Sequence, residues 1–436
     1  MRFRLSDVAR ITGGVLMGGD AEFIGVSVDS RKVKPGQLFV ALKGERADGH
    51  DFVADAMAKG AVAALIERVV PGTTRGVVVE SVEEALRKLT SHARDLFGGQ
   101  VVAVLGAVGK TTTKEMLLQT LRGTFNVAGP IKSFNNLIGV ALTVLNTTGE
   151  EDVWVLELGT NRKGEIDALA SITRPDHLLY TRLGPEHLEG LGSTYGAVME
   201  EYSAIPHARG FILIPDDAPH FPERFHYRYG FVEGPHFRGE NLRLSPKGAE
   251  FIFKGNQVFV PYPHVGFAEN ALATLSLCDL LGVPLKDAVE ALRRFKGQPM
   301  RMEIIRMHGY DLINDAYNSN PLSVQALLKS ISLLYPDGKI LFVFGDMLEL
   351  GDEAEYWHRW AGGKMCEFGI SYVVGYGDMA KFVVEEAKRC GVPGHVASSH
   401  EEIARFVSSS DYDVVVVKGS RGMRMEEVVN RLLGGA

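Results

Sequence analysis

Cysteine is scarce in this 436-residue chain: Cys278, Cys366 and Cys390 lie far apart and form no C-x-x-C pair. Neither a disulfide framework nor a cysteine zinc site is expected, and the usage fits a reducing compartment. Long apolar runs are missing too. No stretch approaches the roughly 20 residues that span a bilayer, so a soluble cytoplasmic protein is expected. Basic charge is not in excess: 47 Lys and Arg against 54 Asp and Glu leave a net charge of −7, which gives no footprint for nucleic acid. There is no low-complexity tract and no solenoid repeat. Residues 1–10 start basic but continue without an apolar core. They read as a short strand, then a helix capped by Ser6 and stopped at Gly13-Gly14.

What the chain does have is alternation. Short apolar strands follow helical segments, which predicts α/β architecture with mostly parallel sheets, and the length suggests about two to four domains. Strand candidates at 101–105, 153–158, 177–181 and 211–215 would form one nucleotide-binding sheet. A second series at 310–313, 340–344, 372–375 and 414–418, with helices at 322–334 and 381–390, predicts an open Rossmann-like sheet. It has no G-x-G-x-x-G turn, so no dinucleotide is implied. Three domains are expected, 1–98, 99–299 and 300–436.

The most informative segment is 101–113, an apolar strand that enters Gly106-Ala107-Val108-Gly109-Lys110-Thr111-Thr112 and then a helix. Backbone N–H groups of such a turn and the following helix N-terminus favour phosphate. Lys110 adds a point charge, and the Thr111 hydroxyl suits Mg²⁺. The strict P-loop spacing would also place glycine where this chain has Val104. In the bland alternative Gly106 and Gly109 only turn the chain.

Other clusters each have two readings. Glu157 ends a buried-looking strand, where a charge is costly unless paired or bound to metal, so it reads as a Mg²⁺ ligand. His187 follows the next strand and reads either as a group reaching the same crevice or as an ordinary loop histidine. Asn135-Asn136 open a helix as a cap or something more. Arg301 at a domain junction suits phosphate or a surface ion pair. Asp315 ends a strand, as do Lys418, Ser420 and Arg421, whose basic groups suit a carboxylate. Near the N-terminus, Asp29-Ser30-Arg31 and the run Pro35 to Glu45 alternate turn chemistry with a strand.

Taken in order, these residues resemble the Mur ligases of peptidoglycan synthesis over nearly the whole chain. Asp29-Ser30-Arg31, Pro35-Gly36 and Asp48-Gly49-His50 resemble the family's UDP-binding domain. The Gly-Lys-Thr-Thr-Thr loop, Asn135-Asn136, Glu157 and His187 resemble its central ATPase domain. Phe344-Gly345-Asp346-Met347-Leu348-Glu349-Leu350-Gly351, His358 and Lys418-Gly419-Ser420-Arg421 resemble the C-terminal domain of its D-alanyl-D-alanine-adding branch. The resemblance implies an ATP-dependent amide ligase that joins D-alanyl-D-alanine to UDP-N-acetylmuramoyl-tripeptide through an acyl phosphate, working as a cytoplasmic monomer with ATP and Mg²⁺.

The roles it implies follow the motifs. Lys110, Asn136, His187 and Arg301 would be catalytic. Gly106, Ala107, Val108, Gly109, Lys110, Thr111, Thr112, Asn270, Arg301 and Asp315 would hold the nucleotide. Ser27, Asp29, Ser30, Arg31, Lys43, Gly44, Asp48, Gly49, His50, Asn135, Lys418, Ser420 and Arg421 would hold substrate, and Thr111, Glu157, His187 and Glu201 would hold metal.

Departures from the family pattern cluster around ATP. Leu105-Gly106-Ala107 stands where Thr-Gly-Ser is usual, and Arg182 stands where the family has asparagine. Glu201 falls where a lysine, often carbamylated, serves the metal, so Glu201→Lys is expected to raise the rate. Gly266-Phe267 replaces His-Asn, which leaves Phe267 only stacking for the base. Two readings stay open: a working ligase with a modified ATP site, or a family-fold protein that binds UDP-muramoyl peptide without efficient catalysis.

Overall fold

The computed structural model describes residues 1–44, 47–130, 134–222 and 226–434. Glu45, the last residue of the run that begins at Pro35, lies outside them. Three large sheets follow one another along the chain. The first has five strands in the order Val15–Met17, Gly76–Val78, Ala63–Ile66, Leu38–Val40 and Val26–Ser27, parallel except at the Val15–Met17 edge. Its opening helix, Leu5–Thr12, ends at Gly13 in the left-handed region, as expected. Ser6 does not cap it. The cap position is Arg4, and Ser6 sits inside the first turn, where its hydroxyl donates to Asp20.

The second sheet has nine strands, and its centre is the predicted series: Ile212–Pro215, His177–Tyr180, Gln100–Leu105 and Val153–Glu157, all parallel. Parallel strands covered by helices on both faces are buried throughout, and the residues of Val153–Glu157 are all buried, Glu157 included. The sequence reading missed the four strands from Tyr227–Gly230 to Asn256–Val260, which extend this sheet and end in an antiparallel meander. Their alternation is weak because glycines and polar residues interrupt it, although apolar residues of these strands pack against the Val265–Leu280 helix.

The third sheet runs Glu303–Arg306, Asp311–Asp315, Val414–Lys418, Ile340–Gly345, Tyr372–Tyr376 and Gly394–Ala397, parallel apart from the first pair. One expectation fails in this unit. Cys366, on the Ala354–Glu367 helix, and Cys390, just after the Ala380–Arg389 helix, form a disulfide with Cα atoms 6.3 Å apart. Side-by-side packing of those two helices brings together cysteines that are 24 positions apart in sequence, and linear spacing carries no signal for that.

Candidate active site between the second and third sheets

The Gly106–Gly109 turn leaves the C-terminal end of Gln100–Leu105, the edge where ligands bind in such sheets. Gly106 and Gly109 both have positive φ, 113° and 98°. A Cβ on Gly109 would lie 2.4 Å from the side-chain oxygen of Asn270, so the close seating of the Val265–Leu280 helix requires glycine. The helix Lys110–Leu121 begins here, and its first three residues line a cleft together with Ala107, Val108 and Gly109.

Lys110 is buried and ringed by acid. Its ammonium lies 2.9 Å from Glu186 and 3.9 Å from Glu201, and donates to the Gly106 carbonyl. Burial disfavours its charge, but the surrounding carboxylates outweigh that and raise its pKa. The Glu201 carboxyl is pushed up to about 7 by burial, against the opposing pull of Lys110. It accepts from Gly106 N–H at 2.8 Å.

Glu157 and Thr111 meet: the threonine hydroxyl donates to Glu157 Oε1 at 3.0 Å, and Asn135 donates to the same oxygen at 3.2 Å. The other oxygen, Oε2, is buried without a hydrogen-bond partner, with Lys114 4.0 Å away. Asn136, by contrast, caps the Leu137–Leu145 helix by accepting from Gly139 N–H at 2.9 Å. Both ring nitrogens of His187 face carboxylates, Glu186 at 3.2 Å and Glu349 at 2.5 Å. Burial opposes the imidazolium, but these two contacts prevail and lift its pKa to about 9. Thr111 and Glu157 therefore meet, while His187 and Glu201 turn to other partners. Among the described residues no three His, Cys, Asp or Glu side chains converge on a metal position.

The opposite wall comes from the third sheet. Arg301 lies over the Tyr317 ring, 4.1 Å from its centroid, and its Nε has no hydrogen-bond partner. Asp315 is fixed from two sides, by Lys418 at 2.6 Å and by Met302 N–H at 2.9 Å. Lys418 also donates to the Asn318 carbonyl and is almost fully buried, so it anchors the wall. Ser420 accepts from Leu348 N–H, and Arg421 pairs with Glu426, both outside the cleft lining. The segment 345–351 has a scaffold role: Asp346 accepts from Ala380 N–H at 2.7 Å at the start of a helix, and His358 accepts from Met347 N–H at 3.1 Å.

The N-terminal candidates form two clusters away from this cleft. Asp29 holds Arg31 by two hydrogen bonds, which bring its carboxyl down to about 2, and Ser27 donates to the Asp29 carbonyl. Asp48 takes His50 Nδ1 at 2.6 Å and Arg68 at 2.9 Å. His50 Nε2 accepts from Glu67 N–H at 2.9 Å. Ser30 is buried, the backbones of Lys43 and Asp48 pair as an isolated antiparallel β-bridge, and Gly49 seats against the Leu42 backbone. Gly44 N–H donates to Ala47. Both clusters follow the C-terminal ends of adjacent parallel strands.

Sequence reasoning gave no role to Glu186, His264, Glu269 or Tyr317, all of which line the cleft. Glu186 sits beside His187 in sequence, and its acidic neighbourhood was the available signal. His264 caps Val265–Leu280 and is held neutral, with burial pushing its pKa down to about 4.

Three family models match the chain: the Mur ligase family catalytic domain over 22–94, the Mur ligase middle domain over 104–278, and the Mur ligase glutamate ligase domain over 300–421. The UDP-N-acetylmuramoyl-tripeptide–D-alanyl-D-alanine ligases of Bacillus subtilis and Escherichia coli are 32% and 34% identical to it. Each comparison covers 98% of both chains. A crystal structure of MurF from Acinetobacter baumannii superposes with a TM-score of 0.90 at 27% identity over 100% of this chain and 99% of that one. MurF ligase from Thermotoga maritima in complex with ADP gives 0.82 at 27% identity over 94% and 97%.

Proposed function

The chain belongs to the Mur ligase family, and we propose that it joins D-alanyl-D-alanine to UDP-N-acetylmuramoyl-tripeptide at the expense of ATP. One observation carries the assignment of the site: a single cleft has the Lys110 loop on one wall and Arg301, Asp315 and Lys418 on the other. A nucleotide seated on the loop is then covered by the third sheet. Full-length likeness to the ligases above, with Lys110, Thr111 and Glu157 all facing the cleft, argues against the non-catalytic reading.

Hydroxide is a poor leaving group, so a carboxylate must be activated before it forms an amide. The tripeptide carboxylate attacks the γ-phosphorus of ATP, ADP departs, and an acyl phosphate forms. The amine of D-alanyl-D-alanine attacks the acyl carbon, loses a proton, and phosphate leaves. Lys110 and Arg301 offset charge on the transferring phosphoryl group. The two walls exclude water from an intermediate that water would hydrolyse.

Mg²⁺ fits the donors present. The Glu157 Oε2 atom is buried without a hydrogen-bond partner next to the Thr111 hydroxyl, and a hard cation takes such oxygens. Thr111 and Glu157 would hold it, and it would neutralise phosphate charge. His187 joins that set only by releasing Glu186 or Glu349, and Glu201 faces Lys110 instead. The two N-terminal clusters bind the UDP-linked substrate in this reading. Asn135 orients the peptide carboxylate, while Ser420 and Arg421 lie toward the incoming dipeptide. The units divide near residues 98 and 299, and the enzyme acts as a cytoplasmic monomer.

The test is phosphate release from ATP with Mg²⁺, UDP-muramoyl-tripeptide and D-alanyl-D-alanine, each omitted in turn. Release that needs all three substrates, with a UDP-muramoyl-pentapeptide product by mass spectrometry, is the expected result. Binding of the tripeptide without release would restore the non-catalytic alternative.

A further inference from the structure

One turn into the Lys110–Leu121 helix is a second lysine, Lys114, and it is fully buried. Its ammonium sits 2.8 Å from Glu115, donates to the Pro130 carbonyl at 3.3 Å, and lies 4.0 Å from Oε2 of Glu157. Thr111 and Lys114 are three positions apart, so the helix presents both from one side to the end of Val153–Glu157. The threonine hydroxyl takes one oxygen of Glu157. The ammonium faces the other, which has no hydrogen-bond partner. At that separation it acts as a charge and not as a donor.

A buried carboxylate needs a compensating charge. Lys114 supplies one from inside the protein, beside the same oxygen that a divalent cation would take. Two positive centres at one carboxylate repel strongly where water is excluded, and Lys114 and Glu157 are both shut off from solvent. Lys114 therefore supports the metal's ligand and competes with the metal. Glu115 lets it give way. This second carboxylate, 33% exposed, lies at 2.8 Å, so the ammonium keeps a partner when Glu157 turns to a metal.

We propose that Lys114 is a positioning residue that acts through Glu157: it compensates the carboxylate in the free protein and weakens affinity for Mg²⁺ alone, so that the metal is admitted together with the nucleotide. The phosphates bring the negative charge that outweighs the ammonium. The inference rests on the reading of Thr111 and Glu157 as the metal's ligands.

Melting of the full chain in EDTA, in excess MgCl₂ and in MgATP tests it without turnover. For the unmodified protein, MgCl₂ alone is expected to move the midpoint by less than about 1 °C, and MgATP by several degrees. Lys114→Met leaves the carboxylate uncompensated, so it should melt several degrees lower in EDTA and recover most of that loss in MgCl₂ alone. Its Mg²⁺ affinity without nucleotide, read by calorimetry, should be at least about tenfold tighter than that of the unmodified protein. Glu157→Gln combined with Lys114→Met removes both charges. It should melt above Lys114→Met in EDTA and ignore MgCl₂. The double variant also decides the case in which Lys114→Met does not fold: a folded double variant supports the coupling, and an unfolded one overturns it. A Lys114→Met protein that loses as much stability in MgCl₂ as in EDTA would make the lysine a packing residue alone and overturn the proposal. So would an unmodified protein that Mg²⁺ alone stabilises as far as MgATP does. If the unmodified protein does not respond to MgATP, the nucleotide reading itself falls. If it responds while Lys114→Met gains nothing from MgCl₂, only the role of Lys114 falls.

Discussion

Lys110 keeps its charge in a buried position because Glu186, Glu201 and Glu157 surround it. In the proposed reading Lys110 offsets charge on the transferring phosphoryl group, so Lys110→Ala should lower kcat for phosphate release at least about a hundredfold. Activity near the starting level would mean that the loop is not the phosphate seat. Glu201 reverses a sequence expectation. It accepts from Gly106 N–H and faces Lys110, so Glu201→Lys sets two ammonium groups together and orphans a buried donor. That change should lower both the rate and the melting temperature, at a cost of about 3 kcal/mol, and a faster enzyme would refute the geometry. His264 sets a pH dependence. Its folded pKa lies near 4 because burial disfavours the cation, below the ordinary 6.5, so the unfolded chain takes up the proton first. Its contribution is present above pH 6.5 and is lost as pH falls toward 4. His264→Asn keeps a cap acceptor for Gly266 N–H and should flatten the decline in urea midpoint between pH 7 and 5. Lys110, Thr111 and Glu157 were legible because their chemistry is local to a strand end and a turn. Glu186 and Glu269 were not, since their meaning comes from partners, Lys110 and Arg182, that the fold delivers from 76 and 87 positions away.

Among the elements, the buried parallel strands announced themselves as continuous apolar runs, and Gln100–Leu105, Ile340–Gly345 and Val414–Lys418 fall where the sequence put them. The meander from Tyr227–Gly230 to Asn256–Val260 did not, because glycines and polar residues break its pattern. Nor did the Cys366–Cys390 link, which depends on how two helices pack side by side. Closing a loop of this size constrains the unfolded chain by about 3 kcal/mol. Reductant should therefore lower the unfolding midpoint of the third unit, and Cys366→Ser should melt early with or without reductant. A midpoint unmoved by reductant would show that the bond adds nothing to stability.

At the scale of the whole molecule, the cleft belongs to no single unit: one wall is the phosphate loop and the other is the Arg301 face. The His187–Glu349 contact joins them near the Glu186–Lys110 pair. Three domains could be counted from the sequence because each has its own alternation of strands and helices. The seam could not, because His187 and Glu349 both take left-handed backbone conformations, with φ of 48° and 66°, that no periodicity foretells. The acid beside Lys110 also bears on how fast ATP is captured. An ammonium already matched by a carboxylate projects little field into solvent, so a highly charged nucleotide is not drawn in from a distance, and its association rate constant should vary only weakly with ionic strength. Glu186→Gln would remove the nearest of the carboxylates around that charge, and stopped-flow mixing should then show faster, more salt-sensitive capture. The partnered lysine makes the resting enzyme an indifferent target for stray polyanions, so that discrimination is exercised by contact within the cleft.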